Sequence, residues 1–168
     1  MPLHLTRPYN LHVIFLALLA TEPESTATVP PATAPFQTEY FSYGRLQMVL
    51  PVPSRVDTVK GTDYTWYTVK SQAWSVALNL LVGYSLPSKG FTEREDVIIG
   101  ARERRDLAGT KGMATWGTYK DKPGLWFDFT SSKLFGKDVY LRVWYERASE
   151  SDTASLRRTI ETLEVVNK

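Results

Sequence analysis

Side chains that could carry out catalysis are scarce in this sequence of 168 residues. It contains no cysteine, and its two histidines, His4 and His12, both lie near the N-terminus. Thiolate nucleophiles, thiolate metal sites and disulfides are therefore excluded, and no histidine base follows residue 12. We predict no metal site and no cofactor, because zinc and copper would lack their preferred ligands and no calcium-loop motif is present.

Aspartate and glutamate could still provide general acid–base chemistry, as they do in glycoside hydrolysis. Most of the acidic residues, however, fall in predicted turns or on outward strand positions, where nothing raises a carboxyl pKa. The adjacent pairs Ser88-Lys89 and Ser132-Lys133 lie in polar loops, whereas a serine–lysine dyad needs a desolvated lysine. We predict that the protein is not an enzyme; the alternative is an enzyme that uses Asp or Glu on a carbohydrate of the cell envelope.

One short motif is typical of nucleic-acid binding. The segment Gly109-Thr110-Lys111-Gly112 matches the GxxG loop that clamps phosphates in KH modules, and Arg102, Arg104 and Arg105 precede it. The formal net charge is only +2, and a plain turn between two strands also explains the motif. A cytosolic nucleic-acid-binding module is therefore the second alternative function.

The chain is rich in aromatic residues, with five Trp, nine Tyr and seven Phe, and several of them fall in one predicted hairpin. If Phe135 lies at its tip, one side of the hairpin is entirely apolar. The pairs on that side are Leu125 with Tyr145, Phe127 with Val143, and Phe129 with Leu141. A slip of one residue would mix the two faces, so this register is favoured.

The other side of this hairpin is the candidate binding site. There Trp126 faces Trp144 and Asp128 faces Arg142, and a preceding turn centred on Lys122 adds Trp116 to the same face. Tryptophan and arginine anchor many protein interfaces, but tryptophans are also usually buried. The face is therefore either a recognition surface or a second buried layer.

The elements that position these residues are mostly strands. Alternating apolar and polar residues predict strands over 43–50, 64–70, 74–82, 113–119, 125–130 and 139–147. The stretch 92–108 is ambiguous: Thr92 to Glu95 matches a capping box, but the alternation of Val97, Ile99 and Ala101 favours a strand over 97–107.

A helix is predicted over 151–163, where Ser151 or Asp152 can cap the first turn and Leu156, Ile160 and Leu163 form one apolar stripe. Residues 165–166 could add a short last strand. An antiparallel sheet with a C-terminal helix packed on one face is an α+β domain.

The order of four segments resembles the PsbP-type fold, a family of small α/β/α sandwiches that includes thylakoid PsbP proteins and bacterial envelope proteins of the DcrB type. These segments are "FSYGRLQMVLP", "GARERRDLAGTKG", "GKDVYLRVWYE" and "SLRRTIETLEVV", and the resemblance covers about residues 36–166. It implies a PsbP-like sandwich and an accessory, chaperone-like or binding role. No functional residue carries over, since the fold has no shared catalytic centre.

The N-terminal residues predict export. Residues 13–20 form an uninterrupted apolar run of eight, which is too short to span a bilayer but fits the apolar region of a secretory signal. Small side chains at Ser25 and Ala27 offer a cleavage site. We predict a signal peptide over 1–27, a Pro/Thr-rich linker over 28–35, and a single α+β domain over 36–168.

These observations lead to one functional hypothesis. We predict a periplasmic or extracellular, non-catalytic binding or accessory protein of the cell envelope. It acts through protein–protein interaction, as a chaperone-like or immunity-like factor. Its partner is another protein, and it contacts a membrane only transiently through the signal segment.

Overall fold

The computed structural model describes residues 33–40, 44–86 and 90–166. These residues form ten β-strands, one α-helix and a short 3₁₀ turn (Phe91–Glu93). The strands are β1 (Thr33–Tyr40), β2 (Gly44–Pro51), β3 (Ser54–Lys60), β4 (Tyr64–Ser71), β5 (Leu78–Gly83), β6 (Val97–Leu107), β7 (Thr110–Tyr119), β8 (Leu125–Ser131), β9 (Tyr140–Ala148) and β10 (Glu164–Val166). The helix α1 spans Glu150–Glu161. The predicted signal segment lies outside the described residues.

The strands are arranged in two antiparallel sheets. Seven of them form one sheet in the order β3-β4-β5-β9-β8-β7-β6, so that β3 and β6 are its edges. The other three form a small sheet in the order β1-β2-β10. None of the described helices is long and apolar enough to cross a membrane.

The main core lies between the seven-stranded sheet and the helix. We refer to this side of the large sheet as the helix face and to the opposite side as the back face. Leu156 and Ile160 of α1 and Leu46 and Met48 of β2 are buried in the same apolar cluster as the sheet residues. Those sheet residues include Tyr67, Val69, Leu78, Leu80, Val82, Phe127, Phe129, Leu141, Val143 and Tyr145. The described residues therefore form an α+β fold with the C-terminal helix packed on one face of an antiparallel sheet, as predicted.

Most predicted elements are present, and β6 has the predicted limits. The start of the helix differs from the prediction, because Ser149 is the N-cap and its hydroxyl accepts a hydrogen bond from the Asp152 amide at 3.1 Å. The Asp152 carboxylate instead accepts two hydrogen bonds from Ser75. The Ser75 amide donates one of them at 3.2 Å, and the Ser75 hydroxyl donates the other. The strand predicted over 74–82 begins only at Leu78, although Trp74 is buried in the main core.

The hairpin between β8 and β9 has the predicted faces but not the predicted pairs. Phe127 lies opposite Tyr145 and Phe129 opposite Val143, a shift of two residues from the prediction. A two-residue turn at Phe135 and Gly136, both with positive φ, forms the tip, and the returning chain carries one extra residue before Leu141. An even shift leaves every side chain on its predicted face.

Candidate functional site

The back face of the large sheet contains a second buried layer. Trp126 and Trp144 have 0% and 5% of their surface exposed, and they pack with Leu81, Val97 and Tyr119. Trp126 also donates a hydrogen bond from its indole nitrogen to the carbonyl oxygen of Thr118 at 3.0 Å. Both tryptophans are on the predicted face, but neither is available for direct contact with a partner.

A buried ion pair lies within this layer. Arg142 donates from Nε to Asp128 Oδ1 at 2.8 Å and from Nη2 to Asp128 Oδ2 at 3.1 Å. The guanidinium carbon of Arg142 is 4.8 Å from the ring centroid of Trp144. Two hydrogen bonds and an aromatic neighbour compensate both desolvated charges, which is the usual condition for a buried ion pair.

Trp116 does not belong to this layer, and its predicted position was wrong. It lies opposite Phe127, on the helix face, and packs against the main core. The Arg157 guanidinium of α1 is 5.5 Å from its ring centroid. Thr118 lies opposite Leu125, and the six residues 119–124 lie between them. The register of β7 against β8 therefore differs by one residue from that of a turn centred on Lys122. A difference of one residue exchanges the two faces of β7.

Charged residues attach the segment before β6 to the back face. Arg94 forms ion pairs with Glu146 at 3.0 Å and with Asp96 at 2.8 Å. The hydrogen bond from Arg94 lowers the pKa of Asp96. Burial, followed by the nearby negative charge of Glu146, raises the pKa of Tyr119 to about 12. Leu86 packs against the tryptophan layer from the same segment, so the layer is covered rather than open.

Strand β6 forms one of the two open edges of the large sheet. Among the described residues, β6 pairs with β7 alone, and it is the longest strand, with eleven residues. Ile98 and Ile99 are 50% and 42% exposed, although isoleucine is among the residues most often buried. The edge strand therefore presents both backbone hydrogen-bonding groups and apolar side chains to solvent.

A β-bulge at Gly100 shapes this edge. Ile99 lies opposite Gly117 and Ala101 opposite Trp116, so Gly100 is the extra residue. A Cβ atom on Gly117 would lie 1.9 Å from the carbonyl oxygen of Ile98, which means that the bulge requires glycine at this position. Bulges are frequent at sheet edges, where they change the direction of the strand.

The second half of β6 carries two unpaired arginines. Arg102 and Arg104 lie opposite Thr115 and Met113, which places both arginines on the back face. They are exposed, and neither forms an ion pair within the part of the chain that the structure describes. A surface cavity of about 460 Å³ adjoins Arg104; its lining residues are Arg104, Arg105, Asp106, Lys111, Gly112 and Met113.

The predicted GxxG motif is a plain hairpin turn. Ala108 and Gly109, both with positive φ, connect β6 to β7, and the remaining residues of the motif belong to β7. The Thr110 hydroxyl hydrogen-bonds the Ser131 hydroxyl at 2.8 Å. Among the described residues, no group of three or more His, Asp or Glu is placed to hold a metal ion.

Sequence reasoning did not identify the β6 edge as a site. The strand itself was predicted, but its place at the edge of the sheet depends on long-range strand order. The only local signal was the pair Ile98-Ile99 followed by Gly100. Comparisons with protein-family models, with curated proteins and with solved structures find no match for this chain.

Proposed function

We propose that this chain is an exported, non-catalytic binding protein that acts through protein–protein interaction at its β6 edge. The observation that carries the proposal is the exposure of Ile98 and Ile99 on an eleven-residue edge strand. An unpaired edge with apolar side chains is a template for a strand of another protein, which is a common mode of peptide recognition.

The tryptophan layer supports this function indirectly. Its buried ion pair and aromatic contacts join β8 and β9, and β7 connects this closely packed part of the sheet to β6. A binding edge on a rigid sheet loses little conformational freedom when the partner binds. The layer is therefore assigned a structural role, and the surface that meets the partner lies at β6.

The opposite edge of the sheet is less suited to binding. Strand β3 has seven residues, and its Asp57 is already paired with Arg55 at 2.7 Å and with Lys70 at 3.2 Å. Only Val59 is a large exposed apolar side chain on this strand, at 59%. Val59 and Ile99 both lie on the back face, so Val59 serves as a matched control for the β6 edge.

Two further parts of the proposal come from the sequence. Residues 13–20 support export to the periplasm or beyond the cell, where the protein would be an accessory, chaperone-like or immunity-like factor. A PsbP-like sandwich also stays part of the proposal. The helix α1 on one face of the sheet supports it. On the other face, the described residues of the segment before β6 contain a short 3₁₀ turn (Phe91–Glu93) in place of an α-helix.

The proposed function is tested by comparing Ile99→Glu with Val59→Glu. Each full-length variant is expressed in the native cells, cross-linked before lysis and quantified for co-purifying proteins. We expect Ile99→Glu to reduce the recovered amount of one specific co-purifying protein about tenfold, since interface anchors contribute more than about 1 kcal/mol each. Val59→Glu should leave it unchanged, and both variants should keep the melting temperature. Equal recovery with both variants would contradict the proposal.

A further inference from the structure

We propose that the β6 edge binds an extended segment of the partner protein in which two acidic residues alternate with a non-acidic one. This inference rests on the proposed function and specifies the chemistry of the partner. It is carried by the positions of Arg102 and Arg104, which share one face of the strand and have no acidic partner within the described part of the chain.

The backbone of the same residues is directed at the open edge. Leu107 and Thr110 flank the two-residue turn between β6 and β7, and in such hairpins the flanking pair is hydrogen-bonded. Alternate residues of β6 hydrogen-bond to β7 in the same way, so the backbone groups of Arg105 and Glu103 also face β7. Asp106, Arg104 and Arg102 therefore direct theirs outward, so an added strand would meet the backbone and side chains of the two arginines together.

The spacing of the arginines determines the pattern that they recognise. Residues two apart in a strand lie on one face and are separated by about 6.6 Å. An added strand has the same repeat, so carboxylates on alternate residues would face Arg102 and Arg104 at once. Arginine binds carboxylates through two parallel hydrogen bonds, which adds geometric selectivity to the charge attraction.

Three other arginines near this edge are already paired. Arg105 lies on the helix face, where it forms an ion pair with Glu161 of α1 at 3.1 Å and approaches Glu103 at 3.9 Å. Arg94 and Arg142 are paired on the back face. Among the described residues of β6, the cations without an ion pair are therefore Arg102 and Arg104, and Lys111 on the neighbouring strand adds an exposed positive charge.

The acidic residues of β6 limit the pattern further. Glu103 lies opposite Ala114, on the helix face between the two arginines, and would repel an acidic residue at the middle position of the partner. Asp106 follows Arg104 on the back face and would repel a third alternating carboxylate. On the other side of Arg102 come the bulge and Ile99, which favour an apolar residue.

Two peptides of identical composition test this pattern. The first, Val-Thr-Glu-Thr-Glu-Thr-Val, places both carboxylates on one face; because it is a palindrome, it presents the same pattern in either strand direction. The second, Val-Thr-Glu-Glu-Thr-Thr-Val, places them on opposite faces. Both are capped at their termini and titrated against the full chain by fluorescence anisotropy. We expect the alternating peptide to bind about tenfold more tightly than its isomer.

A charge-reversed variant provides the matched control. Arg102→Glu/Arg104→Glu should lose affinity for the alternating acidic peptide and gain affinity for Val-Thr-Lys-Thr-Lys-Thr-Val. Lys60→Glu on the opposite edge strand should change neither affinity. Circular dichroism melting confirms that each variant is folded. Equal affinity for the two isomeric acidic peptides would overturn the inference, as would the absence of any binding.

Two other results would also overturn it. Binding of a single-stranded oligonucleotide that is lost in Arg102→Glu/Arg104→Glu would assign the arginines to nucleic acid. Self-association that is lost in the same variant would assign the edge to a second copy of the chain. If a partner contacts β6 through a segment without alternating acidic residues, the inference fails while the proposed function stands. If no partner contacts β6, the proposed function itself fails.

Discussion

Arg142 donates two hydrogen bonds to Asp128 although the two residues are not direct cross-strand partners. Asp128 lies opposite Trp144, and Arg142 lies opposite Thr130, so the ion pair is diagonal across β8 and β9. The long arginine side chain covers this distance and passes within 4.8 Å of the Trp144 ring centroid. The ion pair and the tryptophan layer are therefore one packed unit, in which each group shields the other from water.

The first prediction concerns this ion pair. Asp128→Leu leaves the Arg142 charge buried without its carboxylate, so the free energy of unfolding should fall by about 3–5 kcal/mol. Urea unfolding of the full chain measures the change. Asp128→Leu combined with Arg142→Met should recover much of the loss, because it removes both buried charges. A loss below about 1 kcal/mol for Asp128→Leu would show that the pair is solvated in solution.

The second prediction distinguishes a buried layer from a recognition surface. Trp126→Ser and Trp144→Ser should each lower the free energy of unfolding by at least about 3 kcal/mol, because each removes a large buried side chain. Thermal melting and urea unfolding measure the effect. Unchanged stability together with lost partner binding would support a recognition surface at the tryptophans instead.

The third prediction concerns the bulge at the binding edge. Gly117→Ala should destabilise the protein by about 1–3 kcal/mol, because the new methyl group would meet the Ile98 carbonyl oxygen within the sheet. Gly90→Ala is the control, since its Cβ would have only an ordinary contact, 3.7 Å from Asp128 Oδ2. Equal stability of the two variants in urea would show that β6 does not need the bulge.

The fourth prediction concerns acid stability. Burial raises the pKa of Asp152, but hydrogen bonds from Ser75 and Ser149 lower it by more, and the net pKa is below the ordinary value of 3.8. A carboxyl with a lowered folded-state pKa stabilises the fold above its unfolded pKa. This contribution is lost as the pH falls through the folded-state value.

Asp152→Asn should therefore lower the free energy of unfolding at pH 7 by about 1 kcal/mol, and the loss should shrink as the pH falls below 3.8, the ordinary pKa of the carboxyl group. Urea unfolding at pH 7 and at one pH below 3.8 measures this difference. Asp138→Asn, at an exposed position, is the control and should change neither value. A loss that is the same at both pH values would show that the charge of Asp152 does not contribute.

The fifth prediction concerns export. If residues 13–20 are a signal core, the exported form should begin near Thr28 or at Thr21. Intact-mass measurement of the protein from the native envelope or medium determines its first residue. Recovery of the whole protein from the cytosol with Met1 retained would contradict export.

Local patterns predicted most of the strands and the helix. The limits of β6 were predicted correctly, although the bulge at Gly100 places Ala101 on the face opposite to Val97 and Ile99. The spacing of Leu156 and Ile160 identified the buried stripe of the helix, and Leu163, which is also buried, lies just beyond its end at Glu161. Strand β3 was missed because most of its side chains are exposed, so its sequence lacks a clear alternation. Strand β1 was missed for a different reason: its first residues continue a Pro/Thr-rich stretch.

The geometry of the turns and the order of the strands could not be predicted from local sequence patterns. The β8–β9 turn shifted the register by an even number, so the faces of Trp126 and Trp144 were predicted correctly while their pairing was not. The β7–β8 turn shifted it by an odd number, which moved Trp116 to the helix face. The burial of the tryptophan layer and the exposure of β6 depend on which segments meet across the sheet, and no local pattern records that.

The most direct test of the account is site-specific photo-cross-linking in the native cells. A photoreactive phenylalanine analogue is introduced at Ile98 in one full-length chain, at Arg104 in a second and at Val59 in a third. We predict that Ile98 and Arg104 form adducts with the same partner protein, that Val59 does not, and that Ile99→Glu abolishes both adducts. Adducts that form at Val59 but at neither β6 position would contradict the central claim that this protein binds its partner through the β6 edge.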